Sequence, residues 1–440
     1  MSITNITMSH LSSPYQMRLN SRQALVLLMI VACLQVNNVI AQSDDLLLPN
    51  PPIDSMQYTL TPVLLELNAP WAIKTDAQSR AWITLLSGQL IVTTPITPFY
   101  DKNSVQQQII RLELPQLYLA GQGGLMDVLI LDSSTEFHKQ LLFTYAKGTE
   151  EANAVSVVQV DMEWNDAQNL WVVAQQQSIF TVPQTKSTPV HYGARLAQLP
   201  DASILLTVGD GFDWREQAQN IHSPLGKVLR FDVQGQALPD NPYYGMASDQ
   251  NTAKNSAVAW VYSMGHRNAQ GLLVDHTGQV WSNEHGPAGG DEINLIRSGA
   301  NFGWPVVTQG IDYSGAIISP FADYPDMHNP IVNWTPSIAP SGMSYYQGLL
   351  FPELEGHFMV TSLKDRAIYI VQIADDQVIN QTRIKPPISL NNDAREFNEL
   401  AATPRLRDIT HTSTGQILIL SDGDSGQLLQ LKQVITQPLQ

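Results

Sequence analysis

Thr277–Ser282 (TGQVWS) and Thr414–Ile419 (TGQILI) share one local pattern, in which a threonine-glycine turn and a polar residue lead into a short apolar strand. Four weaker copies keep the turn and the strand that follows it, and they begin at Ala202, Gly356, Ser79 and Lys139. The six turn positions are 79, 139, 202, 278, 356 and 415, and their spacings are 60, 63, 76, 78 and 59 residues. Six units of this size fill the chain from about residue 55 to residue 435.

The sequence between these copies predicts strands. Short runs of Val, Ile, Leu, Tyr and Trp alternate with clusters of Gly, Pro, Asp and Asn, and amphipathic helical periodicity is nearly absent. Regular repeats of this length are typical of propeller blades, which are small sheets arranged radially. We therefore predict an all-β fold, a six-bladed β-propeller of four-stranded antiparallel blades, in a single domain over residues 42–440. A pair of β-sandwiches with chance similarity between turns is the alternative.

The composition excludes several classes of protein. The 440 residues include 24 Lys and Arg against 40 Asp and Glu, which gives a net charge of −16. Such a balance excludes a general nucleic-acid-binding surface, although a local basic pocket for a small anion remains compatible with it. Because Cys33 is the one cysteine, the chain can form neither an intrachain disulfide nor a zinc site of the Cys₄ or Cys₂His₂ type.

Residues 1–41 have the parts of a secretory signal peptide. Two arginines precede an apolar run, Ala24–Val36, and Ala41 offers a small residue for cleavage. This run is shorter than the roughly 20 apolar residues that span a bilayer, and no second long run follows, so we expect no transmembrane segment in the mature body. A lipobox ending at Cys33, which would produce a lipoprotein, is the alternative. Both interpretations predict a periplasmic or secreted protein.

The densest group of candidate functional residues lies between Met264 and Pro305. Within it, Glu284–Glu292 (EHGPAGGDE) is a glycine-rich acidic loop between two predicted strands. Gly and Pro interrupt the hydrogen bonds between strands there, which leaves backbone carbonyl oxygens available, and the carboxylates supply negative charge. Calcium is commonly bound by oxygen ligands of these two kinds. The loop lacks the spacing of a known calcium-binding loop, and His285 has no HExxH-type partner. A tight turn with exposed acidic residues therefore remains the alternative.

Isolated cations form a second feature of this acidic chain, and they are Arg267, Lys364, Arg405 and Arg407. Residues i and i+2 of a strand face the same way, so Arg405 and Arg407 should reach one place together. Two guanidinium groups side by side repel each other unless an anion lies between them, and they suit a bidentate carboxylate. The alternative is a solvated face on which they pair with Asp408 and Glu399.

From Gly121 to Gly426 the chain resembles the soluble quinoprotein sugar dehydrogenases, and within them the bacterial aldose sugar dehydrogenases. The motifs that carry the resemblance are Gly121–Gly124, His191–Leu196, Leu225–Arg230, Gly265–Asn268, Glu284–Glu292, Asn301–Pro305, Trp334–Gly342, Lys364 and Arg405–Asp408. The sequence departs from the family pattern at Asn68–Gln116, which is Gln-rich where the family has glycine-rich loops, and at Asp210–Ile221. These two departures concern substrate preference more than the chemistry.

The resemblance implies a six-bladed propeller that binds pyrroloquinoline quinone (PQQ) and Ca²⁺. It also implies that the protein oxidises aldose sugars at the anomeric carbon to lactones and passes the electrons to an external acceptor. His191 matches the catalytic base, and Arg267 would stabilise the developing oxyanion. The residues that match cofactor contacts are Gln122, Arg267, Asn268, His285, Lys364, Arg405 and Arg407.

The same resemblance implies metal and substrate residues. The carbonyls of Gly286 and Pro287 match ligands of the calcium ion that touches the quinone. Glu292, with the carbonyl of Phe302, matches part of a separate structural calcium site. Trp334 falls in the segment that forms the substrate cleft.

Two other functions remain open at the level of the sequence. A calcium-dependent propeller lactonase or hydrolase would not need the cations Lys364, Arg405 and Arg407. A propeller that binds a sugar or a protein without catalysis would not need a base at His191.

Overall fold

A computed structural model describes residues 57–97, 104–246, 257–389 and 400–434. The strands within these residues form six sheets. Five of the sheets are four-stranded antiparallel meanders in chain order, and the sixth combines both ends of the described chain. The innermost strand of each sheet contacts the innermost strands of two neighbouring sheets, so the six sheets close into a ring. The predicted six-bladed β-propeller is thereby confirmed.

The first strand of the chain is β1 (Tyr58–Leu67), which belongs to the last blade. Blade 1 consists of β2 (Pro70–Thr75), β3 (Ala81–Leu85), β4 (Gln89–Thr93) and β5 (Gln107–Arg111). Blade 2 consists of β6 (Leu125–Ile130), β7 (His138–Gly148), β8 (Asn153–Asn165) and β9 (Leu170–Thr181). Blade 3 consists of β10 (Gly193–Gln198), β11 (Ile204–Val208), β12 (Lys227–Phe231) and β13 (Val261–Met264).

Blade 4 consists of β14 (Ala269–Val274), β15 (Val280–Glu284), β16 (Asp291–Ile296) and β17 (Val332–Trp334). Blade 5 consists of β18 (Pro340–Tyr345), β19 (Phe358–Ser362), β20 (Ile368–Ala374) and β21 (Gln377–Ile384). Blade 6 adds to β1 the strands β22 (Ile388–Ser389), β23 (Leu400–Ala401), β24 (Leu406–His411), β25 (Ile417–Ser421) and β26 (Gly426–Gln433). Short 3₁₀ helices lie at Arg215–Gln219, Tyr244–Met246, Ala257–Trp260 and Pro352–Leu354.

The ring is closed by hydrogen bonds between the first strand and the last. Strand β1 pairs antiparallel with β26 in a register that places Tyr58 opposite Gln433 and Leu60 opposite Leu431. The leucines of this pair are buried, and β22 adds to the other edge of β1 in parallel. Since closure leaves no long open edge between the first and last blades, it protects the sheet from pairing with other chains.

The pattern that repeats in the sequence lies at the start of the second strand of every blade, although in blade 2 the expected turn position, Lys139, already lies within β7. Asp275 shows the reason for the pattern, because its Oδ1 accepts the backbone N–H groups of Thr277 at 2.8 Å and Gln279 at 3.0 Å. Its Oδ2 accepts the indole N–H of Trp281, also at 2.8 Å. Asp76 makes the equivalent three bonds in blade 1. A carboxylate that fixes the turn and orients the next strand therefore explains the strongest part of the repeat.

The hydrophobic core lies between the faces of adjacent blades. Its largest cluster joins blades 1, 2 and 3, where Trp82 packs edge-on against Trp171 at 5.2 Å and Phe180 stacks on Phe231 at 4.8 Å.

No helix among the described residues is long and apolar enough to cross a membrane. The predicted signal peptide at residues 1–41, and with it Cys33, lies outside the described residues.

Candidate active site

Two neighbouring cavities contain most of the predicted site residues. The arginine cavity, of about 410 Å³, is lined by predicted residues Gln122, Asn268, His285, Arg405 and Arg407, and by others including Trp71, Asp422 and Asp424. The histidine cavity, of about 300 Å³, is lined by His191, Arg267 and Pro287 together with Phe212, Trp304, Asp312 and Tyr313. Consecutive residues such as 191 and 192 line different cavities, so the two cavities share walls.

Every blade contributes to these cavities from the start of its innermost strand. The contributions, in order from blade 1 to blade 6, are Pro70–Trp71, Gln122, His191–Tyr192, Arg267–Asn268, Ala339 and Arg405–Arg407. The innermost strands of a propeller all run in the same direction, so their N-terminal ends meet on one face of the ring. Residues more than 300 positions apart in the chain are thereby brought together.

His191 forms a hydrogen-bonded pair with Asp210, a residue that the sequence analysis did not identify. The His191 Nδ1 and the Asp210 Oδ1 lie 2.7 Å apart. Because the carboxylate accepts, Nδ1 carries the proton and Nε2 keeps a lone pair. Asp210 is held in turn by the indole N–H of Trp304, at 2.8 Å from Oδ2, and by the backbone N–H of Phe212.

The electrostatics keep this imidazole neutral. Burial lowers the pKa of His191 and outweighs the hydrogen bond and charge of Asp210, which raise it. Arg267 and Lys186 lower the pKa of His191 further, because their positive charges oppose protonation. Burial raises the pKa of Asp210, but the hydrogen bond and charge of His191, together with Arg267, bring it below the ordinary value. An ionised carboxylate beside a neutral imidazole is the arrangement of a general base.

Arg267 lies between His191 and the loop that follows β15. Its buried guanidinium donates from Nη1 to the carbonyl oxygen of Gly286 at 2.8 Å and to that of His285 at 3.1 Å. It packs 5.4 Å from the ring centre of Trp304. These contacts fix a permanent positive charge at the edge of the histidine cavity.

His285 and Asn268 face the arginine cavity as neutral polar groups. The Nε2–H of His285 donates to the carbonyl oxygen of Pro340 at 2.6 Å, which leaves Nδ1 as an acceptor. Burial, helped by the charge of Arg267, lowers the pKa of His285 to about 3. Asn268 accepts the backbone N–H of Gly193 on its Oδ1 at 3.1 Å.

Arg405 and Arg407 converge, and the anion between them is Asp422. Arg405 Nε donates to Asp422 Oδ2 at 2.9 Å, while Arg407 donates to Oδ1 from Nε at 2.8 Å and from Nη2 at 2.6 Å. The side chain of Arg405 is 48% exposed and that of Arg407 is 16% exposed. Asp408 instead pairs with the buried Arg195 at 3.1 Å. The alternative partner Glu399 lies outside the described residues.

Lys364 does not line the arginine cavity itself but directly follows a residue that does. It is exposed and makes no side-chain hydrogen bond or ion pair within the described ranges. The preceding residue, Leu363, lines the cavity and offers its carbonyl oxygen to Arg405 at 3.5 Å. Among the described residues the Lys364 ammonium is thus an exposed cation without a partner, one residue after a residue that contacts Arg405.

Trp334 is not brought to either cavity. It ends β17, the outermost strand of blade 4, and its buried ring packs 5.4 Å from that of Tyr369 in the core between blades 4 and 5. Its indole N–H donates to Gln381 at 3.1 Å. The exposed aromatic walls of the histidine cavity are instead Phe212 and Tyr313, whose rings lie 6.4 Å apart at 19°. Phe212 belongs to the loop that departs from the family pattern, whereas no sequence signal distinguished Tyr313.

Two carboxylates, the buried Glu284 and the half-buried Glu292, face each other across β15 and β16. Asn294 Nδ2 donates to both, at 3.1 and 3.0 Å, while its Oδ1 is buried without a partner among the described residues. Burial and the neighbouring charge of Glu284 raise the pKa of Glu292 well above the usual range. This donor set fits a hard divalent cation, which would neutralise the pair.

The remaining predicted metal ligands are backbone carbonyls. No group of three or more His, Cys, Asp or Glu side chains forms a metal cluster in the described part of the chain, so a cation here would need oxygen atoms from the backbone. The Gly286 carbonyl accepts Arg267, and Pro287 lines the histidine cavity. Phe302 is buried against the ring of His266 at 4.8 Å, close to Glu284 through the His266–Glu284 contact.

Known proteins resemble this chain over most of its length. It is 34% identical over 383 residues to the uncharacterized protein slr1608 of Synechocystis sp., covering 84% of this chain and 85% of that one. It is 29% identical over 321 residues to the aldose sugar dehydrogenase YliI of Escherichia coli, covering 72% and 79%. A shorter match, 35% identical over 147 residues and 29% of each chain, is to quinoprotein glucose dehydrogenase B of Acinetobacter calcoaceticus.

The fold comparison agrees. The crystal structure of the soluble aldose sugar dehydrogenase from Escherichia coli in the apo-form superposes with a TM-score of 0.68 at 26% identity, covering 85% of this chain and 99% of that one. The family model for glucose / sorbosone dehydrogenases matches residues 67–430. That range includes blades 1 to 5, most of blade 6 and every residue that lines the two cavities. The chain therefore belongs to the glucose/sorbosone dehydrogenase family.

Proposed function

We propose that the protein is a PQQ- and calcium-dependent aldose dehydrogenase, which oxidises sugars at the anomeric carbon to lactones and passes electrons to an external acceptor. The observation that carries the proposal is the His191–Asp210 pair, which places a neutral base beside a cavity that contains two arginines. The relatives named aldose sugar dehydrogenase and quinoprotein glucose dehydrogenase support the substrate class and the cofactor.

The arginine cavity fits PQQ in size and in charge. Its volume of about 410 Å³ lies within the range of small-ligand sites, roughly 300–1,000 Å³. The cofactor carries three carboxylates, and Arg405, Arg407 and Lys364 are the cations available to them. Asp422 already neutralises part of this charge, so the exposed Arg405 and Lys364 have the most capacity to bind a further anion. When bound, the quinone supplies the two-electron acceptor for the hydride that leaves the sugar.

The residues of the chain supply the proton transfer. His191 Nε2 would take the proton of the anomeric hydroxyl while the hydride leaves the same carbon, which turns the sugar into a lactone. Asp210 holds the imidazole in the required tautomer and stabilises the positive charge that forms on it. Arg267, fixed by two carbonyls, would stabilise negative charge on the sugar oxygen.

The walls of the histidine cavity suit a sugar ring. Phe212 and Tyr313 present exposed aromatic faces, against which the apolar face of a pyranose can pack. Asp213, Arg215, Glu216 and Asp312 surround them with polar groups, which can bind hydroxyls. We propose this cavity, in place of the segment around Trp334, as the substrate cleft.

Calcium is part of the proposal in two places. The carbonyls of Gly286 and Pro287 would bind the ion next to the cofactor, where it would act as a Lewis acid. Glu292 and the carbonyl of Phe302, with Glu284 beside them, would bind the structural ion.

We also propose that residues 1–41 direct export as a signal peptide, so that residues 42–440 act in the periplasm or outside the cell.

The two alternative functions explain less of the site. A lactonase or hydrolase using calcium alone has no use for the Arg405–Asp422–Arg407 arrangement at the mouth of a cavity. A binding propeller has no use for a buried base oriented by a carboxylate. The His191–Asp210 pair and the arginine cavity are adjacent, which favours a reaction that needs both.

The test is reconstitution of the apoprotein with PQQ and CaCl₂, followed by absorbance and by dye-linked oxidation of a panel of aldoses. We expect a spectral change on binding and aldose-dependent reduction of the dye. Cofactor binding without oxidation would favour the binding propeller, and lactone hydrolysis with calcium alone would favour the hydrolase. Either result would overturn the proposal.

A further inference from the structure

Lys186 is a buried lysine next to the active site that none of the steps above uses. Its Nζ donates to the carbonyl oxygen of Thr188, to that of Val190 at 2.8 Å, and to Asn153 Oδ1 at 3.3 Å. It also lies 3.7 Å from the centre of the Tyr192 ring. Val190 and Tyr192 are the two neighbours of His191 in the chain, so one ammonium group contacts the backbone before the histidine and the side chain after it.

The backbone at His191 needs such support. Its φ of +52° lies in the left-handed region, which is unfavourable for a residue with a Cβ atom and persists only where the surroundings hold it. The Lys186–Asn153 backbone bridge, with N···O distances of 2.9 Å in both directions, anchors the start of the loop. Tyr192 donates to the same Asn153 side chain at 2.7 Å. The loop that carries the base is thus tied to blade 2 around Lys186.

We propose that Lys186 is a positioning residue for His191, which clamps the loop so that Nε2 faces the histidine cavity. Its positive charge has a second effect, because it opposes protonation of the imidazole. The mechanistic part of this inference rests on the proposed function. The structural part, the effect on the state of His191, does not.

The charges around the pair support both effects. The charged groups that act on His191 are Asp210, Arg267 and Lys186 itself, and the imidazole of His285 lies near enough to couple with it. Asp210 is the charged group that acts on Lys186. Burial lowers the pKa of Lys186 to about 7, although Asp210 raises it. Below that pH the ammonium is charged and opposes protonation of His191 most strongly.

Lys227, at the start of β12 in blade 3, provides a matched control. It is also buried, burial lowers its pKa to about 7, and its Nζ donates to the carbonyls of Gln217, Ala218 and Leu225 at 2.8 to 2.9 Å. It makes no hydrogen bond to the segment from Lys186 to Tyr192 and is not among the groups that perturb His191. Removing it frees two carbonyls of the short helix Arg215–Gln219 and leaves the hydrogen bonds around the base in place.

The experiment follows the imidazole of His191 by NMR across pH 4–8 in the apoprotein, with His191→Gln identifying the signal. In Lys186→Met we expect the pKa of His191 to rise by about half a unit or more, and in Lys227→Met we expect it to stay at the parent value. Lys186→Gln keeps amide donors for the carbonyls without the charge, so it should raise the pKa of His191 even if the methionine variant fails to fold.

Turnover of the PQQ- and calcium-loaded protein is the second readout. At pH 7 Lys186→Met should lose at least about tenfold in kcat with little change in cofactor binding, and Lys227→Met should not. An unchanged pKa of His191 in both Lys186 variants would overturn the inference, as would an equal change in Lys227→Met. If no variant or parent oxidises sugar, the proposed function fails while the NMR result still decides the role of Lys186.

Discussion

His191 and Asp210 come from different loops and meet through a single hydrogen bond of 2.7 Å between Nδ1 and Oδ1. The bond places the imidazole proton on the nitrogen that faces the carboxylate and leaves Nε2 basic. Asp210 is also held by the indole N–H of Trp304, which donates to Oδ2, and by the backbone N–H of Phe212, which donates to Oδ1, the oxygen that faces His191. The sequence separation of 19 residues is bridged by the β10–β11 hairpin, which pairs Gly193 with Val208.

His191→Gln should keep the fold and bind PQQ, because Gln122, Lys364 and the arginines are untouched. Turnover should fall by about 10²–10⁴-fold, the usual contribution of a general base, while sugar affinity changes far less. Parallel measurements of cofactor binding and steady-state aldose oxidation check this. A variant that oxidises sugar at nearly the parent rate would reduce His191 to a packed histidine.

Asp210→Asn should lower turnover nearly as much, because an amide can bind the imidazole in the wrong tautomer. Cofactor affinity should stay at the parent value, since Asp210 does not line the arginine cavity. The comparison of kcat with KM in this variant separates orientation of the base from sugar binding. A loss confined to KM would contradict the assignment.

The pH dependence follows from the burial of His191. Its pKa is lowered below the ordinary value of about 6.5, so the base stays neutral and oxidation should persist as pH falls through 6.5, declining only at lower pH. The folded state binds this proton less readily than the unfolded chain, so the contribution of His191 to stability also decreases as pH falls below about 6.5. The check is a profile of kcat/KM against pH. A decline centred above 6.5 would show that another group limits the rate.

Arg405 and Arg407 together should contribute much of the affinity for the cofactor. Charge-assisted hydrogen bonds contribute about 1.5–3 kcal/mol each, so the double alanine variant should weaken PQQ binding by several kcal/mol. Asp422→Asn is the matched control, because it removes the internal counter-ion and leaves both cations. Binding of PQQ to this control should be equal to or tighter than binding to the parent, and titration by absorbance or calorimetry measures all three proteins. Unchanged affinity in the double variant would exclude the arginine cavity as the cofactor site.

The fold could be predicted from local signals because a turn of similar sequence precedes the second strand in the blades other than blade 2. Asp76 and Asp275 fix that turn through side-chain hydrogen bonds within four residues of sequence. The turn can therefore be recognised as a local sequence pattern. The convergence of Arg405 and Arg407 was also predictable, since it needs only the two-residue period of an extended segment.

The partners of these residues could not be predicted in the same way. Asp422 reaches Arg405 and Arg407 from the turn after β25, and Asp210 reaches His191 from the turn after β11, so both contacts depend on the register of a hairpin. The position of Trp334 depends on the fold in a related way. A tryptophan beside a family motif can point into a cleft or into the core, and the outermost position of β17 decides for the core.

Trp334→Phe should therefore affect stability more than sugar binding. The change removes the hydrogen bond to Gln381 and part of the packing on Tyr369, which should lower the free energy of unfolding by about 1–3 kcal/mol. Phe212→Ala, in the proposed cleft, should raise KM for the sugar and cost little stability. Denaturant unfolding and steady-state kinetics on both variants test whether Phe212, and not Trp334, contacts the sugar. A large rise in KM with Trp334→Phe would return this residue to the cleft.

Calcium should stabilise the protein through Glu292 even before the cofactor is added. The raised pKa of this carboxyl means that, without a cation, ionising it beside Glu284 costs stability as pH rises above its unfolded value of about 4.5. A divalent ion removes that cost, and at a calcium concentration 100 times Kd the gain in the free energy of unfolding is about 2.7 kcal/mol.

Glu292→Gln removes the same like-charge contact, so the variant should match or exceed the calcium-free parent in stability. It should also lose most of the gain on adding calcium. Thermal unfolding of parent and variant, with calcium, with magnesium and after chelation, measures this. Magnesium should stabilise the parent less, because it needs stricter octahedral geometry than a site of carboxylates and carbonyls provides. If the variant gains as much from calcium as the parent does, the structural ion binds elsewhere in the chain.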